Sequence, residues 1–219
     1  MSDFFTMRQN MVKCQILPEN VTNPRLIEAF LKIPREKFVP RQLAHIAYMD
    51  SNFPFNVGRV LLRPATLARI LEALDPKPSD NILYIAGGTG YGAAILSWLV
   101  SHVVALDSED ILTREAERLV EELNLSSVEV VYGPLQEGWD KEAPYDKMII
   151  EGSIGEIPES LDLQLKEEGE IITFKHCKIH GSEVIKYVKK GGVFTEIPLF
   201  DAYAPPLEPF HGVKDFVFE

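Results

Sequence analysis

The segment Leu83–Leu96, LYIAGGTGYGAAIL, contains the pattern in this sequence that is best suited to bind a ligand. An apolar run ends in four glycines within six positions and then continues as an apolar, helix-favouring run. Glycine costs about 0.5–1 kcal/mol relative to alanine inside a regular element. The cluster therefore indicates a backbone that turns sharply or lets another group come close.

A carboxylate is expected beside this loop. Asp107 ends the next apolar run, nineteen residues after Gly88. At the carboxyl end of a strand in an open parallel sheet, an acidic side chain can accept hydrogen bonds from ribose hydroxyls. The loop and Asp107 together predict a nucleoside-containing ligand. The alternative is a tight strand-to-helix turn whose glycines only permit close packing.

Two nucleoside ligands fit the glycine loop to different degrees. Gly88, Gly90 and Ala93 match the loose dinucleotide fingerprint G-x-G-x-x-G/A, which indicates a nicotinamide or flavin cofactor. That match begins three residues after Ile85, whereas a dinucleotide loop turns at once. The pattern acidic-x-G-x-G-x-G, typical of S-adenosylmethionine loops, fits better in register, with Ala86, Gly88 and Gly90 at its glycine positions.

Alternating strands and helices must position the loop and the carboxylate. From Asp80 onward, NILYIA, HVVALD, SVEVVYG, YDKMIIEG and GEIITFKH predict strands, while GYGAAILSWLV and LTREAERLVEELN predict helices. This order favours right-handed crossovers and a mostly parallel sheet. EVIKYVKKGGVFTEIPLF predicts two strands joined at Lys190–Gly192, which would end the sheet antiparallel. The predicted fold class is therefore α/β and Rossmann-like.

The N-terminal third is predicted to be helical. Ser2 is expected to cap a first helix, and TNPRLIEAFLKIP predicts a second one that is capped by Asn23 and stopped by Pro34. A connection over residues 45–64 has no clear periodicity, but it carries Phe53, Phe55 and Val57 and is expected to be packed. A third helix is expected to begin at its end, at Pro64.

Composition limits the class of protein. The chain has 219 residues, 46% of them hydrophobic, and no apolar run near the roughly 18 residues of a membrane span, so we expect one globular domain off the membrane. The start lacks the pattern of a secretory signal, which favours a cytoplasmic location.

The net charge of −11 argues against a nucleic-acid partner, because phosphate binding depends mainly on clustered Lys and Arg. The two cysteines, Cys14 and Cys177, match no metal or redox spacing.

Six segments follow one another in the order and spacing of a known family. They are NMVKCQI, RLIEAFLKIPREKFVP, AYMDSNFPFNVG, GGTGYGAA, PYDKMII and GEIITF. On these segments the sequence resembles the protein-L-isoaspartate O-methyltransferases over nearly its whole length. The resemblance implies a single domain with a seven-stranded methyltransferase sheet, mostly parallel with antiparallel C-terminal strands. Residues 1–78 would form a helical region with the substrate loop, and residues 79–219 the cofactor-binding core.

The resemblance also implies a reaction, a cofactor and site residues. A methyl group would pass from S-adenosylmethionine to the carboxylate of isoaspartyl residues in damaged peptides or proteins, the first step of their repair. No metal is expected. The implied cofactor contacts are Ala86, Gly87, Gly88, Gly90, Asp107 and Gly133. The implied substrate-loop positions are Asp50, Arg59, Val60, Leu62 and Arg63.

The substrate loop departs from the family pattern. Where the family has a G-Q-T-I-S-Q-P type loop, this chain has GRVLLRP, so Val60 and Leu62 replace hydroxyls that help to place the substrate carboxylate. Orientation can contribute up to about 7–11 kcal/mol to such a reaction. A family member that binds adenosylmethionine or a protein partner without isoaspartyl methylation is therefore an alternative, and a nicotinamide-linked oxidoreductase is a third.

The cofactor side departs as well. Tyr84 replaces the acidic residue that precedes the glycine loop, and Ala86 replaces its first glycine. Alanine fits there if its φ angle is negative. Pro134 stands where the family's Gly-Asp pair supplies an aspartate near the adenine. Each lost acceptor costs about 1–3 kcal/mol if the ligand's donor is left unpaired.

Arg59 and Arg63 flank the altered substrate loop. A guanidinium can hold a carboxylate in a two-pronged geometry, so we hypothesise that the pair gathers an acidic substrate. The alternative is that both are solvated or paired with nearby acids. Asp50 either lines the substrate loop or caps the local backbone.

Two further features have simpler explanations. His176 and His180 in HCKIH are about 13 Å apart on a strand and cannot share a zinc ion unless the chain turns between them. The proline-rich tail LFDAYAPPLEPF is unsuited to a central strand. It would cover the pocket, pair with a partner chain or wrap the surface.

Overall fold

A computed structural model describes residues 3–55, 57–177 and 181–210. The N-terminal part contains three helices and a small hairpin. These are α1 (Phe4–Met11), α2 (Pro24–Lys32), β1 (Phe53–Pro54), β2 (Val60–Leu61) and α3 (Pro64–Leu74). Helix α1 continues into a π-helical turn over Val12–Ile16, and 3-10 turns cover Leu17–Glu19, Arg35–Lys37 and Arg41–Ile46.

The rest of the chain alternates strands and helices before it ends in strands. The elements are β3 (Asn81–Ile85), α4 (Tyr91–Leu96), β4 (His102–Asp107), α5 (Asp110–Glu122), β5 (Val128–Tyr132), β6 (Tyr145–Ile154), α6 (Glu159–Gln164), β7 (Leu165–Cys177), β8 (Gly181–Lys190) and β9 (Val193–Asp201). Short 3-10 turns cover Leu135–Glu137, Asp140–Glu142 and Glu208–Phe210.

The seven longer strands form one sheet in the order β5-β4-β3-β6-β7-β8-β9. Strands β5, β4, β3, β6 and β7 pair in parallel, whereas β8 is antiparallel to both β7 and β9. The predicted α/β class, seven strands and antiparallel C-terminal strands are therefore confirmed. In such a sheet the carboxyl ends of β3 and β4 lie side by side, which brings the glycine loop next to Asp107.

Successive side chains of β3 point to opposite faces of the sheet. Ile82 and Tyr84 belong to the larger buried cluster, which also contains Phe30 of α2 and Leu71 of α3. Leu83 and Ile85 belong to the cluster on the other face. The alternation therefore fixes Tyr84 on the side of the N-terminal helices, below the glycine loop.

Most of the helix boundaries predicted for the N-terminal part are confirmed. Asn23 caps α2 by accepting hydrogen bonds from the Arg25 and Leu26 N–H groups. The first helix is capped by Asp3, whose carboxylate accepts from the Thr6 N–H at 3.1 Å. The expected cap Ser2 lies outside the described residues.

The connection over residues 45–64 contains the β1–β2 hairpin. Strand β1 pairs with β2 through Phe53–Leu61 and Pro54–Val60. The rings of Phe53 and Phe55 pack edge to face, with centroids 5.6 Å apart. The expected packing is thus present for both phenylalanines, whereas Val57 is exposed.

The described part of the C-terminal tail lies against the carboxyl end of β6. The Leu207 N–H donates to the Ser153 carbonyl at 2.9 Å, and the Leu207 side chain is buried against Gly152. This segment therefore contributes to the apolar core instead of only wrapping the surface. Among residues 3–55, 57–177 and 181–210, none of the helices combines the length and apolar character that crossing a bilayer requires.

Candidate functional site

The glycine loop turns sharply at the carboxyl end of β3. Gly88 and Gly90 have φ angles of +58° and +85°, in the left-handed region that favours glycine. Ala86 has a φ angle of +62°, so the negative angle at which alanine would fit without strain is not present. A residue with a Cβ atom adopts this conformation at a cost of about 1–2 kcal/mol. The first glycine position of the loop is therefore strained in this chain.

Tyr84 packs directly beneath the loop and explains two of its glycines. A Cβ atom at Gly92 would lie 2.1 Å from the Tyr84 hydroxyl oxygen, and one at Gly87 would lie 2.6 Å from the ring atom Cε1. Real Cβ atoms essentially never approach this closely. At Gly87 and Gly92 the group that comes close is thus a side chain of the protein itself.

Asp107 lies beside the loop, as the sequence predicts, and its carboxylate is fully engaged. The Gly88 N–H donates to Oδ2 at 3.0 Å, and the Glu109 N–H donates to Oδ1 at 3.1 Å. Arg59 Nε lies 3.2 and 3.3 Å from the two carboxylate oxygens, and Arg59 Nη2 lies 3.2 Å from Oδ1. Nη2 also donates to the Ser108 hydroxyl at 3.0 Å. The residues Asp107 and Arg59 are only 4% and 7% exposed, so this ion pair is buried.

The crevice between the glycine loop and Asp107 is almost filled. Its free volume is about 10 Å³, with walls that include Tyr84, Gly88 and Asp107. This is close to the space of one water molecule, whereas small-molecule pockets usually measure about 300–1,000 Å³. Phe55 covers the loop from the hairpin side, 3.3 Å from the position of a Cβ atom at Gly88. In this conformation the crevice has no room for a nucleoside, and the Asp107 carboxylate is bonded within the protein.

Glu151, a residue that the sequence analysis missed, lies beneath the glycine loop beside Tyr84. It is 2% exposed, and its Oε2 accepts a 2.5 Å hydrogen bond from the Tyr84 hydroxyl. Its Oε1 accepts from the Leu62 N–H at 3.4 Å. Burial raises the pKa of this carboxyl from 4.5 to about 7, opposed by the bonds from Tyr84 and Leu62 and by the charge of Arg35. One signal was available, a glutamate at the end of the apolar run MII.

We predict that Glu151 makes folding stability depend on pH. The folded state keeps this proton up to about pH 7, whereas the unfolded chain releases it near pH 4.5. Because the carboxyl pKa is raised on folding, its unfavourable contribution is absent below pH 4.5 and grows to about 3 kcal/mol as the pH rises through 7.

Urea unfolding of the wild type and Glu151→Gln between pH 4.5 and 8 measures this contribution. The difference in unfolding free energy should shift by about 3 kcal/mol in favour of the glutamine variant as the pH rises. A difference that stays constant over this range would contradict the prediction.

The substrate-loop residues fall into two groups. Val60 and Leu62 are buried, and Leu62 is 0% exposed within the larger core cluster. Arg63 Nε lies 2.6 Å from Asp50 Oδ1 in a pair near the surface. Arg59 and Arg63 therefore do not form one carboxylate-binding pair. One faces inward to Asp107, and the other faces outward to Asp50.

Gly133 is the remaining predicted cofactor position. The Gly133 N–H donates to the Asp107 carbonyl at 3.1 Å, so this glycine is next to the crevice. His176 is exposed on β7, whereas His180 and the side chain of Cys177 lie outside the described residues. Three other side chains that could bind a metal, those of His102, Glu129 and Glu142, have ligand atoms within 4.8 Å of one another. They lie near the amino ends of β4 and β5.

Comparisons with known proteins agree with this architecture. The sequence model of the protein-L-isoaspartate(D-aspartate) O-methyltransferase family matches residues 7–195. The chain belongs to this family. A family enzyme from Methanoculleus marisnigri is 33% identical over 204 residues, which cover 91% of this chain and 90% of that protein. One from Pelotomaculum thermopropionicum is 34% identical over 165 residues, which cover 75% and 72% of the two chains.

Solved structures of family members share the fold. A protein-L-isoaspartate O-methyltransferase aligns over 91% of this chain and 65% of its own, with a TM-score of 0.80 and 24% identity. A putative family enzyme from Plasmodium falciparum, solved in complex with S-adenosyl-L-homocysteine, aligns over 94% and 99% of the two chains, with a TM-score of 0.76 and 17% identity.

Proposed function

We propose that this family member takes a methyl group from S-adenosylmethionine and transfers it to the carboxylate of L-isoaspartyl residues in damaged proteins. One observation carries the proposal: the glycine loop and Asp107 meet at the carboxyl ends of β3 and β4, in a chain that belongs to this family. The complex of the Plasmodium falciparum protein with S-adenosyl-L-homocysteine supports the choice of methyl donor.

The residues that would hold the donor are present. Asp107 would accept hydrogen bonds from the ribose hydroxyls, and the turn at Gly88 would let the ligand approach the backbone. The donor supplies the methyl group, and a carboxylate acceptor needs no general base. In this structure Arg59 is bonded to the Asp107 carboxylate and Phe55 covers Gly88, so we expect both side chains to move before the donor enters.

The substrate loop, which would hold the methyl acceptor, differs more from the family pattern than the donor site does. Without hydroxyls at Val60 and Leu62, other groups must orient the acceptor. Glu151 accepts the Leu62 N–H and would repel a second carboxylate when it is ionised. We therefore expect slower transfer to an isoaspartyl group than the family pattern would give.

Transfer of a tritiated methyl group from S-adenosylmethionine to a synthetic peptide tests this proposal. An isoaspartyl peptide should become labelled, whereas the same peptide with ordinary aspartate should not. Base-labile label would identify a methyl ester. Equal labelling of both peptides, or no label above a reaction without enzyme, would refute the isoaspartyl acceptor.

The absence of hydroxyls at Val60 and Leu62 favours a second candidate function. In this alternative the chain binds an adenosyl ligand or a protein partner without methylating isoaspartyl groups. Binding of S-adenosyl-L-homocysteine in a calorimeter, together with an unlabelled isoaspartyl peptide, would favour it. Heat with NAD and none with the adenosyl ligand would favour the nicotinamide-linked oxidoreductase instead. The cytoplasmic location, the domain division and the absence of a nucleic-acid partner stay predictions.

A further inference from the structure

We infer that Arg59 is a latch that occupies the ribose-binding carboxylate and keeps the donor crevice closed. The inference rests on the proposed donor site and says how access to that site is controlled. An adenosyl ligand would enter only after Arg59 leaves Asp107 and Phe55 leaves Gly88.

Arg59 is bonded within the site, to the carboxylate that a ribose would use, and is not a solvated surface side chain. Its guanidinium donates to both oxygens of the Asp107 carboxylate and to the Ser108 hydroxyl, within 3.0–3.3 Å. With the Gly88 and Glu109 N–H groups, Asp107 thus has its oxygens fully used. A ribose that needs this carboxylate must displace Arg59, because both donors compete for the same oxygens.

A larger cavity lies directly behind Phe55. This outer groove has a volume of about 680 Å³, and its walls include Phe38, Phe55, Thr89, Ile111 and Leu112. Phe55 faces Gly88 of the crevice and also lines the outer groove. Displacement of its ring would therefore uncover Gly88, which lines the 10 Å³ crevice, on the side of a space of ligand size.

The hairpin that carries both side chains is short. Among residues 53–55 and 57–61, which the structure describes, two residue pairs join β1 to β2, and the Phe55 N–H donates to the Arg59 carbonyl at 2.8 Å. Val60 and Leu61 after the latch are buried. Gly58 has a φ angle of +71° and nothing within 4 Å of its missing Cβ atom. A two-stranded hairpin of this size is marginally stable by itself, so movement can be confined to the tip.

The latch reduces the apparent affinity for the donor. If only a fraction of molecules is open, the measured Kd is the intrinsic Kd divided by that fraction. Removal of the guanidinium should raise the open fraction and tighten binding. The matched control is Arg63, which is four residues away and pairs with Asp50 near the surface.

Titration calorimetry with S-adenosyl-L-homocysteine tests the latch. We expect Arg59→Met to lower the Kd at least tenfold relative to the wild type, and Arg63→Met to leave it unchanged within twofold. Arg59→Gln, which keeps a polar side chain beside Asp107, is the second variant if the methionine variant does not fold. It should also tighten binding. A Kd for the Arg59 variant equal to or weaker than that of the wild type, including no binding by either, would overturn the latch.

The same variants separate the latch from the proposed reaction. Tighter binding by Arg59→Met without methyl transfer would support the latch and refute the isoaspartyl acceptor. Methyl transfer by the wild type with the same Kd in both proteins would support the reaction and refute the latch.

Discussion

Replacement of Asp107 by alanine is expected to lower the free energy of unfolding by about 3–5 kcal/mol, because it leaves the buried guanidinium of Arg59 without its counter-charge. The Gly88 and Glu109 N–H groups would lose their acceptor as well. Urea unfolding monitored by circular dichroism would measure this loss.

The double variant shows whether the pair itself is responsible. Arg59→Met alone should cost less than Asp107→Ala, since Asp107 keeps two backbone donors. Adding Arg59→Met to Asp107→Ala should restore part of the lost stability, because no unpaired charge then remains buried. A loss below about 1 kcal/mol for Asp107→Ala, or additive losses in the double variant, would contradict a buried ion pair at this site.

Replacement of Leu62 by serine, which restores the family's residue, is expected to destabilise the protein and not to activate it. Leu62 is fully buried in the larger core cluster. Large-to-small changes of a buried leucine cost about 2–5 kcal/mol. The sequence alone suggested the opposite, that hydroxyls at positions 60 and 62 would raise the methylation rate.

Val60→Thr is the matched control for this prediction. It restores the other hydroxyl with little change in shape, so its cost should be limited to burying that hydroxyl, about 1–3 kcal/mol. Thermal unfolding and the tritium assay on the isoaspartyl peptide measure both effects. A Leu62→Ser protein that is as stable as the wild type and methylates faster would show that Leu62 faces the acceptor.

The sheet could be predicted because its signals are local. The central strands β3, β4 and β6 each contain a short apolar run, and the turn at Gly191 and Gly192 separates β8 from β9. The position of Asp107 beside Gly88 follows from strand order alone, since both residues lie at carboxyl ends of neighbouring parallel strands.

The side-chain contacts within the site could not be predicted from the sequence in the same way. Arg59 reaches Asp107 across 48 positions of sequence, and Tyr84 reaches Glu151 across 67. The sequence pattern does not indicate which of several acidic side chains an arginine will pair with. The Ala86 N–H likewise donates to the Leu106 carbonyl on β4, a contact that its neighbours in sequence do not reveal.

A crystal structure of the protein with S-adenosyl-L-homocysteine at saturating concentration is the most direct test of the account. We predict ribose hydroxyls within hydrogen-bond distance of the Asp107 carboxylate, with Arg59 withdrawn from it and the Phe55 ring away from Gly88. An adenosyl ligand bound elsewhere, with the Arg59–Asp107 ion pair intact, would contradict it.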